Sequence, residues 1–109
     1  MIVPKYLKIG GHAVKIEMVD YEPHIYGNMG VSWNNYNLIQ LNTKYPESQI
    51  KGTILHELLH HIMDNLGLEY KQKDSDAIHS ERTVEALSQA IYQVLNDNPD
   101  FVKMFLKGK

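Results

Sequence analysis

The chain has 109 residues, with 11 lysines and arginines against 13 acidic residues and a formal net charge of −2. A chain of this length supplies a single domain with one modest core, placed here over residues 1–109, and has no room within it for a second recognition domain. Most basic residues are scattered singly, which argues against a nucleic-acid partner. The chain contains no cysteine, so any metal site must use histidines and carboxylates.

The sequence shows no targeting or membrane segment. Residues 1–11 lack the apolar run and the small-residue cleavage site of a signal peptide. No stretch of roughly 18 apolar residues is available to cross a membrane. We therefore expect a cytoplasmic protein without a membrane partner.

Residues 5–42 have the alternating pattern typical of strands. Apolar and polar residues alternate from Leu7 to Met18, and the Gly10-Gly11 pair predicts a turn between two strands. Asn34-Asn35 predicts a second hairpin, because asparagine tolerates positive φ values. The pattern therefore predicts about four strands in a small twisted sheet.

From Pro46 onward the apolar residues recur at helical spacing. The spacing predicts a helix over about 46–66, a second over about 80–96 with Ser80 as its N-cap, and a short third over about 99–106. The fold class is therefore α+β, with the sheet packed on the first helix. The other half of that helix is predicted to be polar and carries Thr53, His56, Glu57, His60 and Asp64.

The first helix carries the pattern H-E-x-x-H, as His56-Glu57-Leu58-Leu59-His60. Side chains four residues apart on a helix stand about 5–6 Å from each other, so two imidazoles can bind one zinc ion at Zn–N distances near 2.1 Å. Glu57 lies about 100° around the helix, where it can accept a proton from a water molecule at the metal. We therefore predict His56 and His60 as ligands of one zinc ion per chain and Glu57 as the general base.

A catalytic zinc site needs a third protein ligand and an open position. Glu81 and Glu85 lie one turn apart on the second helix. Glu85 ranks first, because an unpaired charge would be costly one turn into the helix beside apolar residues. Glu81 is the alternative, because the first turn of a helix favours any carboxylate. His79 is a third candidate that fits the border of a cleft better, and His61 fits the surface or a position behind the ligands.

These motifs carry a family resemblance. The stretch around His56 and His60 and the run 84–99 resemble the short phage and prophage zincin-like metallopeptidases, minimal gluzincins similar to the peptidase domain of the ImmA/IrrE type. The resemblance implies zinc ligands at His56, His60 and Glu85 and a general base at Glu57. Glu85 follows His60 by 25 residues and Glu81 by 21, and the shorter separation is closer to that of thermolysin-like gluzincins.

The resemblance also implies an activity and a setting. The activity is hydrolysis of a peptide bond in a protein substrate, such as a regulatory protein of a phage or mobile element, in the cytoplasm of a bacterial host. The segment 26–31 is either an edge strand that pairs with an extended substrate or a glycine-rich bulge. Asp64 either orients a ligand imidazole or faces water. Four residues are conceivable oxyanion donors: Tyr26, Tyr70, His79 and Tyr92.

Two other functions compete with hydrolysis. In the first, zinc stabilises a small core and the protein is a catalytically idle interaction module. In the second, a phage regulatory protein acts on DNA, which the scattered basic residues disfavour. Replacement of Glu57 by glutamine distinguishes the enzyme from the idle module.

Overall fold

A computed structural model describes residues 3–20, 29–71, 73 and 76–106. The described residues form an α+β fold, as predicted, and none of their helices is both long and apolar enough to cross a membrane. Both long helices begin and end within one residue of the predicted bounds, and the third ends three residues early. The elements are β1 (Tyr6–Ile9), β2 (His12–Val19), β3 (Gly30–Trp33), β4 (Leu38–Asn42), α1 (Glu47–Asn65), α2 (Glu81–Asp97) and α3 (Pro99–Lys103).

The four strands form one mixed sheet in the order β1-β2-β4-β3. Strands β1 and β2 form the predicted hairpin, and Gly10 and Gly11 both have positive φ, at 58° and 83°. The second hairpin joins β3 to β4, but Asn37 rather than Asn34 or Asn35 takes the left-handed conformation, with φ 48°. Because β4 pairs with both β2 and β3, β3 is left at an edge of the sheet.

One face of the sheet packs on α1 and forms the core. Ile54, Leu58 and Ile62 of α1 are partly buried against this core. The spacing of these three side chains is the helical period that the sequence shows, so α1 lies on the sheet as expected. The buried core residues are Ile9, Val14, Ile16, Ile39, Leu41 and Ile50.

The side of α1 predicted to be polar is partly covered by β3. Thr53 and Glu57 are each only 8% exposed, because β3 crosses this side of the helix at Gly30. A Cβ atom added at Gly30 would lie 2.7 Å from Thr53 Cγ2 and 3.2 Å from Glu57 Cγ. His61 is fully buried, with Nδ1 3.1 Å from Ser32 Oγ. The surface position considered for His61 is therefore wrong.

Helix α2 packs on the rest of the fold along one side, from Val84 to Tyr92. Val84 and Ser88 are buried, and the ring of Tyr92 lies near Gly52 of α1. Apolar residues near the end of α2 remain exposed, and Val94 is 46% exposed. Packing against α1 therefore fixes the turns that carry Glu81 and Glu85.

The close contact between β3 and α1 predicts that Gly30→Ala destabilises the protein. The added methyl group would overlap Thr53 and press on the Gln40 carbonyl oxygen, 3.1 Å away. Overpacking of this kind costs about 1–3 kcal/mol in the free energy of unfolding, which urea denaturation measures.

Gly52→Ala is the matched control for this prediction. Gly52 lies inside α1, and its added Cβ would meet Tyr92 at 3.7 Å, an ordinary contact. Alanine also favours a helix interior over glycine by up to about 1 kcal/mol. We expect Gly52→Ala to be neutral or stabilising, and equal stability of Gly30→Ala and wild type would contradict the proposed close contact.

Candidate metal centre

Three side chains from two helices converge at one end of the fold. His56 and His60 lie one turn apart on α1, with their ring centroids 5.0 Å apart. Glu81, in the first turn of α2, places Oε1 2.6 Å from His56 Nε2 and 3.2 Å from His60 Nε2. These three side chains, called the ligand group below, are His56, His60 and Glu81. They lie close enough together to bind a metal ion.

The chemistry of this donor set fits a bound metal ion. Ligand atoms about 2.1 Å from a tetrahedral ion stand roughly 3.4 Å from one another, so the observed separations require only small side-chain shifts. Burial lowers the pKa of His60, although the charge of Glu81 opposes it. A neutral imidazole is the form that binds a metal, so burial favours the binding form of His60.

The start of α2 holds Glu81 in place. Ser80 is the N-cap, as predicted, and its Oγ accepts a hydrogen bond from Thr83 N at 3.3 Å. Burial acts to raise the pKa of Glu81, but the nearby rings of His56 and His60 outweigh it, so the pKa lies below its ordinary value. The carboxylate therefore stays ionised and able to bind a cation.

Glu85 lies on the other side of the His56 ring. Its Oε2 is 2.9 Å from His56 Nδ1, whereas Glu81 contacts Nε2. The sequence ranks Glu85 first as a ligand because burial would make its charge costly, but its side chain is 52% exposed. The geometry favours Glu81, which lies beside both histidines, over Glu85, which contacts only the far nitrogen of His56.

His79 lies behind His60 and is almost fully buried. Its Nε2 is 2.7 Å from His60 Nδ1, the ring nitrogen that faces away from Glu81. Asp64 lies 3.5 Å from His79 Nδ1. His79 is therefore in contact with a ligand histidine rather than in the ligand group itself, and Asp64 contacts His79.

Glu57 is buried beside the ligand group. Burial raises the pKa of this carboxyl to about 7, with the positive charge of His56 acting against the shift. The negative charge of Glu81 raises the pKa further, and a hydrogen bond from the Ser32 backbone lowers it. The role of Ser32 escaped the sequence analysis, because its proximity to Glu57 arises only where β3 crosses α1.

A cleft of about 720 Å³ opens between β3, α1 and α2. It is lined by strand residues 30–32, by Glu57 and the ligand group, and by Tyr92 further along. Tyr70 also lines it, with its hydroxyl 3.5 Å from Glu81 Oε2. Of the other residues considered, Tyr26 and the first half of the segment 26–31 lie outside the described residues.

Comparisons of the chain with protein-family models, with curated proteins and with solved structures found no match. The function is therefore inferred from the residues and geometry of this site.

The raised pKa of Glu57 predicts a pH-dependent stability of the metal-free protein. The pKa is 4.5 ordinarily and about 7 in the folded chain, so the folded state binds this proton more tightly. Between these two values the stability that Glu57 contributes is lost as the pH rises, by up to about 3 kcal/mol. Glu57→Gln has no such group to ionise. We therefore expect its free energy of unfolding, relative to that of wild type, to increase from pH 4.5 to pH 8.

Urea unfolding of both proteins in the presence of a chelator measures this difference. The other side chains of the site are the same in both proteins, so the comparison isolates Glu57. A difference in unfolding free energy that is the same at pH 4.5 and pH 8 would contradict the shifted pKa.

Proposed function

We propose that this protein is a zinc-dependent metallopeptidase. The observation that carries the proposal is the convergence of His56, His60 and Glu81 beside Glu57, within one cleft. Three protein ligands leave one position of a tetrahedral ion open, as in catalytic zinc sites. A buried acid beside such an ion is the arrangement that metal-assisted hydrolysis requires.

The donor atoms support zinc as the metal. Two imidazole nitrogens and one carboxylate oxygen form a common ligand set of catalytic zinc sites. Structural zinc sites instead surround the ion with four protein ligands. Within the described part of the chain, the candidate group contains three ligands, which favours the catalytic type.

Each side chain has a distinct role in the proposed reaction. Bound zinc would polarise the scissile carbonyl and lower the pKa of a water molecule. Glu57 accepts the proton of the attacking water and then donates it to the leaving amine. Burial and the charge of Glu81 raise the pKa of Tyr70, which keeps its hydroxyl protonated and able to donate to the developing oxyanion.

The edge strand β3 supports a peptide as the substrate. Its inner edge pairs with β4, and no other strand of the described residues pairs with its outer edge. Gly30, Val31 and Ser32 of this strand line the cleft. An extended peptide can therefore add to β3 by backbone hydrogen bonds and place a peptide bond near the ligand group. We propose a protein substrate in the cytoplasm of the host cell.

A catalytically idle interaction module is the second candidate. Apolar side chains exposed on α2 and α3 favour it, and Phe105 is 70% exposed. A metal that only stabilises the fold does not require a buried carboxyl group beside it. Burial disfavours the charged form of such a group. Glu57 therefore favours the enzyme.

Two measurements test the proposal. Elemental analysis of the purified protein is expected to give one zinc ion per chain. Mass spectrometry of a host-cell lysate is expected to detect cleavage products that appear with wild type and not with Glu57→Gln. Zinc binding without any cleavage would favour the interaction module, and a protein that takes up no transition metal would overturn both candidates.

A further inference from the structure

A chain of two hydrogen bonds leads from the metal centre into the interior. His60 Nδ1 lies 2.7 Å from His79 Nε2, and His79 Nδ1 lies 2.7 Å from the carbonyl oxygen of Leu68. His79 is 1% exposed. This series of hydrogen bonds therefore ends on a backbone oxygen and is nearly shielded from water.

The last acceptor in this series determines which ring nitrogens of His79 and His60 carry a hydrogen. A carbonyl oxygen only accepts, so His79 Nδ1 carries a hydrogen. The carboxylate of Asp64, 3.5 Å from the same nitrogen, favours the same assignment. In a neutral His79 ring, Nε2 then has a free lone pair and accepts from His60 Nδ1–H. His60 Nε2 is left without a hydrogen, and this nitrogen is the one that faces Glu81.

We propose that His79 is a positioning residue that holds His60 in the tautomer whose Nε2 binds the metal. The inference rests on the proposed metal site and adds a residue that acts through His60. Glu85 takes the corresponding place at His56, because its carboxylate lies 2.9 Å from His56 Nδ1. The two imidazoles of the proposed metal site are thus oriented by different groups, one by an exposed carboxylate and one by a buried imidazole.

The packing around His79 keeps both rings in this orientation. The ring of Tyr70 stacks edge-on against His60 and His79, with centroids 5.3 and 5.2 Å away. Rotation of the His60 ring would break its bond to His79 and turn Nε2 away from Glu81. Orientation by an outer hydrogen bond of this kind typically contributes about 10- to 100-fold to metal affinity.

Zinc affinity of two His79 variants tests the proposal. His79→Leu removes the acceptor, so we expect zinc to bind about 10- to 100-fold more weakly in competition with a chromophoric chelator. His79→Gln keeps an oxygen that can accept from His60 Nδ1–H, and its affinity is expected to return to within about threefold of wild type. Equal affinities of His79→Leu and wild type would overturn the proposal.

His61→Leu is the matched control for loss of a buried histidine. His61 is fully buried on the same helix as His60, and its Nδ1 lies 3.1 Å from Ser32 Oγ, whereas its Nε2 has no hydrogen-bond partner among the described residues. We expect this variant to lose stability and to keep the zinc affinity of wild type. A loss of affinity as large as that of His79→Leu would assign the effect to general loss of packing and overturn the positioning role.

Nitrogen-15 NMR of the histidine rings separates this inference from the proposed function. In zinc-free wild type, His60 is expected to carry its hydrogen on Nδ1, and in His79→Leu to show both tautomers. If wild type binds no zinc, the proposed function fails, while the tautomer of His60 still decides the role of His79. A His60 tautomer that is the same in wild type and His79→Leu would overturn the inference even if zinc binds.

Discussion

Glu57→Gln is expected to bind one zinc ion per chain and to hydrolyse its substrate about 10²- to 10⁴-fold more slowly than wild type, the range typical of general acid–base catalysis. Glutamine has nearly the same shape as glutamate, so it fits the buried position under β3. Its amide cannot take a proton from water, so the attacking nucleophile is not formed. The rate is measured on a cleaved protein identified in the lysate.

Glu47→Gln is the matched control for this variant. Glu47 lies at the start of α1, is exposed and pairs with Lys51, and it does not line the cleft. We expect its cleavage rate to equal that of wild type. Cleavage by Glu57→Gln at the wild-type rate would remove Glu57 from the reaction and favour another base.

The second large effect concerns the two glutamates of α2. Glu81→Ala removes one of the three ligands, so we expect zinc affinity to fall by more than about 100-fold, beyond the range typical of outer contacts. Glu85→Ala removes a carboxylate that lies beside His56 Nδ1 and accepts from Gln89, and we expect a loss of about tenfold. This order follows from the contacts at the two nitrogens of His56 and reverses the order that the sequence predicted.

Competition for zinc with a chromophoric chelator measures both affinities under the same conditions. Both residues are more than half exposed, so neither substitution leaves a cavity and the two variants are well matched. A larger loss for Glu85→Ala would return the ligand role to Glu85. Equal small losses would show that neither glutamate binds the ion.

The secondary structure and half of the site follow from local sequence. Helix α1 is predicted because its apolar residues recur with the helical period, and the pairing of His56 with His60 follows because one turn of any α-helix brings such residues together. The N-cap at Ser80 and the turn at Gly10-Gly11 depend on neighbouring residues alone. Each of these predictions needs only contacts within a few residues.

The third ligand depends on how α2 meets α1. The sequence places Glu81 and Glu85 on one face of α2, and both carboxylates reach His56 from opposite sides of its ring. The angle and depth at which Val84 and Ser88 pack decide which carboxylate reaches Nε2. The periodicity of α2 does not determine that angle, so the sequence keeps both glutamates as candidates, and its preference for Glu85 differs from the group that the geometry brings together.

The sequence by itself determined the elements, the pair of histidines and the acid between them, because these depend on the geometry of one helix. Only the tertiary structure decided that Glu81 lies beside both His56 and His60, that β3 buries Glu57 and that His79 lies behind His60. These contacts join residues that are 19 or more positions apart in the chain. They arise from the packing of whole elements against each other, which fixes directions that local spacing leaves open.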